Sequence, residues 1–165
     1  MKYLAFILLL CSLVGQSAVY AQVPDANFYA VIRYTGMYDP IPDAIAPATL
    51  DSNEIALLHK LYTVCIEQYN RKMDTAYTSE QKAHPGEKKF HALIDPTQRH
   101  FKQFMAVTDK KGDKIVWVNC LCHLPLSYQK IWRKGVAYAP GSGDCYFNFK
   151  VNMRTQQYYD MQINP

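Results

Sequence analysis

From Asp51 onward, apolar side chains recur every three or four residues: Leu58, Leu61, Tyr62, Cys65, Ile66, Tyr69 and Met73. Glu67, Gln68, Arg71 and Lys72 fall on the opposite side. That period predicts an amphipathic helix of about five or six turns, buried along one stripe. Asp51, with Glu54 three residues on, supplies a capping-box start. After His100 the period changes to two. Residues 101–108 and 114–122 flank the polar loop Asp109–Asp113, which contains Gly112, and read as a hairpin. In the second run Val116, Val118, Cys120 and Cys122 share one face, and Ile115, Trp117, Asn119 and Leu121 the other. Both faces are largely apolar, so this strand is expected in the sheet's centre, covered on both sides.

Further along, Cys145, Phe147, Phe149, Val151 and Met153 alternate with Tyr146, Asn148, Lys150, Asn152 and Arg154. A turn at 155–157 then leads to a last strand with Tyr159, Met161 and Ile163 on one side. Upstream, residues 28–34 alternate as a first strand, and residues 135–139 read as a short extra one. Pro40, Pro42 and Pro47 make 37–49 an extended surface connection. Residues 74–99 are polar and interrupted by Pro85-Gly86 and Asp95-Pro96, with either a short helix or an edge strand around 88–94. The sum is an α+β domain: one long amphipathic helix on a curved antiparallel sheet of four to five strands, in the order β-α-β-β-β-β.

The first residues change the cellular picture. A basic start at Lys2, an apolar run from Tyr3 to Gly15, and small residues at Val19 and Ala21 predict a secretory signal over 1–21. The remaining 22–165 is one domain's worth of exported chain. The apolar run is too short to span a bilayer, so no transmembrane segment is expected after signal removal. The net charge of +4 falls to +3 without Lys2. The basic residues are interspersed with acids, so no coherent stripe for nucleic acid is visible. The classes of partner an exported domain meets remain: another protein or a component of the cell envelope.

Four cysteines lie beyond the signal: Cys65, Cys120, Cys122 and Cys145. An even number in an exported chain argues for disulfides. Either Cys120 or Cys122 can oppose Cys145 across neighbouring strands, and Cys65 sits mid-stripe on the helix, free or paired. A Cys120–Cys122 bridge along one strand meets poor geometry. A thiolate metal site is the alternative: Cys120, Cys122, His123 and Cys145 offer sulfur and nitrogen for zinc or copper(I). The Cys-x-Cys spacing departs from the usual zinc knuckle, and His123 joins only if the strand ends at Cys122. Catalytic templates fail. Pro140-Gly-Ser-Gly143 lacks the first glycine of a nucleophile elbow, and a strand follows it where a dinucleotide loop needs a helix. None of the five histidines forms a helical metal pair. Asp144, beside Cys145, is the one carboxylate placed at the mouth of the long loop, where a turn cap is its ordinary role. No cofactor is implied, and the expected function is a non-enzymatic, disulfide-stabilised binding or scaffolding domain.

The segments Trp117–Cys122 and Gly143–Asn152 resemble those of a group of small secreted bacterial proteins without an assigned role, over roughly 101–164. The order of elements is loosely similar to cystatin-like and PepSY-type folds. The inhibitor signature Gln-x-Val-x-Gly of cystatins is missing from the first hairpin, whose loop is Asp109–Asp113. The resemblance therefore implies a shape and carries no activity.

Overall fold

A computed structural model describes residues 25–37, 40–87, 93–138 and 143–164. The expected signal segment, most of the undecided 88–94 stretch and residues 139–142 lie outside them. After a short 3-10 turn (Ala26–Phe28), the elements are β1 (Tyr29–Val31), β2 (Ala44–Pro47), α1 (Ser52–Ala83), β3 (Phe101–Asp109), β4 (Lys114–Leu121), β5 (Gly143–Asn152) and β6 (Gln157–Asn164). The protein is α+β, with one helix packed on a sheet of six strands.

The sheet runs β1-β3-β4-β5-β6, with β2 also paired to β3. It is mixed where an antiparallel sheet was expected, because β1 lies parallel to β3, Tyr29 opposite Lys102. A parallel neighbour needs a long crossover, and 32–100, containing β2 and α1, provides it. The prolines of 37–49 did not prevent pairing. Ala44–Pro47 forms the antiparallel β2, with a register shift at Ala44/Ala46 and Pro47 as its last residue, a place where a missing donor is tolerated.

The capping box forms as the pattern requires. Glu54 N donates to Asp51 Oδ1 at 2.9 Å and Asp51 N to Glu54 Oε2 at 3.0 Å. The helix then runs 32 residues, well past Met73, because nothing from Asp74 to Ala83 breaks it before Pro85-Gly86. Thr75 and Ser79 turn their hydroxyls inward to the carbonyls of Arg71 and Thr75. Only Leu58, Cys65 and Ile66 of α1 are fully buried.

Two clusters lie on either side of the sheet. On the helix side, Phe104, Val116, Val118, Cys120, Phe147 and Phe149 meet Leu58, Cys65 and Ile66. On the other side, Met105, Val107, Ile115, Trp117 and Leu121 are covered by the arm residues Ala30 and Ile32 and by Trp132 and Ala137. The double coverage expected for β4 is present, with all residues from Ile115 to Leu121 buried.

Three local expectations fail for identifiable reasons. Residues 135–138 form no strand; side chains bond their backbone groups, as described below. In β6, Tyr158 packs on the helix-side core with Met161 and Ile163, while Tyr159 is exposed. Asp160, at φ 51°, interrupts the alternation between them. Cys145 packs with the loop-side cluster, apart from Phe147, in a stretch where the β5–β6 register shifts.

Candidate functional site

The end of the sheet where β4 stops and β5 begins gathers the cysteine chemistry. Strand β4 ends at Leu121, and Cys122 N still donates to Cys145 O at 3.0 Å. That bond places the two side chains together as a disulfide with Cα atoms 5.2 Å apart, inside the usual range for a bridge. Because the strand has ended, His123 is free to turn toward the bridge. Its Nδ1 lies 3.3 Å from Sγ of Cys122 and 3.7 Å from Sγ of Cys145. The Tyr146 hydroxyl donates to the His123 carbonyl at 2.9 Å, and the two rings meet edge to face. Asp144, Asp95, Gln98 and His100 line a small cavity of about 190 Å³ beside the disulfide.

Cys120 and Cys65 belong elsewhere. Both are free and fully buried in the helix-side core. Burial pushes the Cys65 thiol up to about 12, and its Sγ donates to Met161 Sδ at 3.3 Å. The Cys120 thiol is pushed up by burial as well, a shift that Lys102 only partly offsets. Of the four candidate ligands, Cys122, His123 and Cys145 come together, all three ligand atoms within 4.8 Å of one another. Cys120 does not join them.

A second polar group sits between helix and sheet. Lys102, opposite Cys120 across the β3–β4 pair, is 7% exposed. Its Nζ donates to the His100 carbonyl at 3.1 Å and lies 4.3 Å from the centre of the Tyr62 ring. Desolvation lowers its pKa. The His100 Nδ1 contacts the Tyr62 hydroxyl at 2.8 Å and the Gln98 carbonyl at 3.0 Å. The Gln98 carbonyl can only accept, whereas the Tyr62 hydroxyl can donate or accept. Burial, aided by Lys102, pulls both His59 and His100 down to about 4. His59 Nε2 is buried without a hydrogen-bond partner.

On the opposite face, Gln103 and Asn119, direct cross-strand neighbours, are buried. Gln103 Nε2 donates to the carbonyls of Trp132 and of Gly135, the latter at 2.8 Å. Its Oε1 accepts from Ala137 N at 2.9 Å and from Asn119 Nδ2 at 3.0 Å. Asn119 Nδ2 also donates to the Ala137 carbonyl at 2.8 Å. These two amides treat residues 132–137 as an adjacent strand would. At the edge, Arg133 donates to the carbonyls of Ala26 and Tyr29 and so ties the same segment to the N-terminal arm.

The sequence reasoning missed Gln103, Asn119, Lys102 and His100. Gln103 and Lys102 stand in a run expected to form a strand, where polar residues ordinarily face water. The available signal was the apolar character of both faces of β4: a strand covered on both sides buries its polar neighbours too.

No family model matches this chain, and neither a curated protein nor a solved structure shows significant similarity to it. Among the described residues no helix is long and apolar enough to cross a membrane.

Proposed function

We propose that this chain is an exported, disulfide-stapled binding or scaffolding domain that performs no chemistry of its own. The observation carrying this reading is the construction of the segment 122–138. It is anchored at one end by the Cys122–Cys145 bridge and toward the other by Gln103 and Asn119, so an irregular segment is held as a fixed surface. Rigid presentation of an irregular segment is the common design of binding surfaces. A persistent disulfide supports an oxidising, exported setting, where the partner is another protein or a cell-envelope component. The non-enzymatic part rests on access: Cys120, beside Lys102, is walled in with its thiol pushed up by burial, whereas a working nucleophile needs an accessible thiolate.

Intact mass of the mature protein purified without reductant tests the proposal. The expected value lies about two mass units below the all-thiol form, as one bridge in an oxidising compartment requires, with Cys65 and Cys120 alkylated only after unfolding. Alkylation of all four thiols in the folded protein contradicts it, as does a turnover that a single side-chain change abolishes.

A second reading, thiolate metal binding, is favoured by the convergence of Cys122, His123 and Cys145. Reduced, they offer two thiolates and an imidazole nitrogen, a donor set suited to zinc or copper(I). Unbridged cysteines together with stoichiometric co-purifying zinc or copper favour this reading over the first.

A further inference from the structure

We propose that the groove between the N-terminal arm and the covering segment binds an amphiphilic carboxylate, an aliphatic tail carrying a single anionic head. The proposal rests on the binding-domain reading and names the class of ligand for it. The groove encloses about 580 Å³, within the roughly 300–1,000 Å³ of small-molecule sites. Ile32 and Met105, both buried, together with Val136 give it an apolar lining. Met37 and Tyr138 also line it and are exposed, at 94% and 52%.

The charge at the groove is of one sign. Arg33 and Lys134 both line it and are exposed. Among the described residues, neither side chain makes an ion pair or hydrogen bond. Among the described residues, no acidic one lines the groove. The larger cavity at the hairpin end, about 610 Å³, is different. There Lys110 pairs with Asp43 at 3.0 Å and Asp113 with Arg154 at 2.6 Å, so the charges satisfy one another. Apolar lining, unpaired cations and no acid together match a tail with an anionic head. A neutral lipid alcohol leaves the cations unused, and a cationic amphiphile meets repulsion.

Isothermal titration calorimetry of the full mature chain at low salt, with decanoate, decanol, decylammonium and acetate, tests this. Decanoate is expected to bind about tenfold more tightly than decanol, the scale of two exposed charge interactions. That margin shrinks as salt is raised. Decylammonium and acetate are expected to give no saturable heat. Lengthening the carboxylate is expected to strengthen binding by roughly two- to fourfold per methylene until the groove is filled. The double variant Arg33→Gln/Lys134→Gln brings decanoate down to the level of decanol, and Thr35→Trp, at an exposed lining position, removes binding of both. Equal affinity for decanoate and decanol overturns the proposal, as does undiminished binding by Thr35→Trp or no saturable binding of decanoate. Intact mass judges the binding-domain reading independently. Absent decanoate binding with the bridge in place therefore sinks this ligand class and leaves that reading standing.

Discussion

The two faces of the sheet are sealed by different means. On one, a regular helix lays apolar side chains over Phe104, Phe147 and Phe149, and the polar groups it traps are titratable: His59, His100, Lys102 and two thiols. On the other, an irregular segment covers Trp117 and Leu121 and is held by neutral amides and a disulfide. A helix satisfies its own backbone and needs little from the sheet beneath it. An irregular cover must find partners for each backbone group it buries, and here Gln103 and Asn119 supply them. The comparison teaches that the helix face should be sensitive to pH and the loop face to the loss of specific hydrogen bonds.

The largest expected effect is on the helix face. His59 and His100 titrate near 6.5 when unfolded and are held to about 4 when folded. Their stabilising contribution is therefore fully present above pH 6.5, and it is lost as pH falls through that value toward 4. Each ring is worth roughly 3 kcal/mol over that window, and the two together roughly 6 kcal/mol as an upper bound. Urea unfolding from pH 7 to pH 4 measures it. Substituting His100→Phe is expected to flatten about half of the slope. A slope unchanged by His100→Phe would place the acid sensitivity somewhere other than the helix face.

The next effect separates apolar from polar sealing. Phe104→Ala opens a cavity under the helix and is expected to cost about 3–5 kcal/mol. Gln103→Leu keeps similar volume but strands the Trp132 and Gly135 carbonyls and the Ala137 amide. At about 1–3 kcal/mol for each buried unsatisfied group, partly relieved by local loosening, about 3–4 kcal/mol is expected. Hydrogen exchange distinguishes the two. Phe104→Ala should lower protection throughout the molecule, and Gln103→Leu should first expose residues 132–137. If Gln103→Leu left those amides protected, the amide pair would not be what holds the segment.

The helix face was the more legible of the two, for the same physical reason. A helix announces itself by local period and cap, and Asp51, Glu54 and the stripe from Leu58 to Tyr69 carried that information within neighbouring residues. Alternation likewise disclosed β3, β4 and β5. The loop face depends on contacts across long separations, Gln103 with Gly135 and Ala137, which no local pattern encodes. Residues 135–138, with Val136 and Tyr138 in them, carry strand-like composition because they do lie beside extended backbone, yet the groups bonding them are side chains. Asp160 looked like one more alternating position, and its positive φ is a choice of the folded strand. In the cysteine site, parity along β4 treated Cys120 and Cys122 alike. The strand's end at Leu121, which separates them, is a tertiary fact.

The smallest of the three effects tests the staple at the edge of the loop face. Replacing both bridge cysteines, Cys122→Ser with Cys145→Ser, releases a loop spanning a sequence separation of 23. The expected loss is about 3 kcal/mol by loop-closure reckoning. Its distribution matters more than its size. The Gln103 and Asn119 bonds lie well beyond Cys122, at Trp132, Gly135 and Ala137, so they should keep 132–137 in place while 123–131 loosens. Helix-side amides should exchange faster only to the extent of the global loss of stability. Thermal unfolding gives the magnitude and hydrogen exchange gives the map. Equal loosening of 123–131 and 132–137 would mean that the bridge organises the whole cover and that the two amides merely follow it. Selective loosening would assign the two anchors separate halves of the segment. The groove lined by Lys134, Val136 and Tyr138 would then survive reduction of the disulfide.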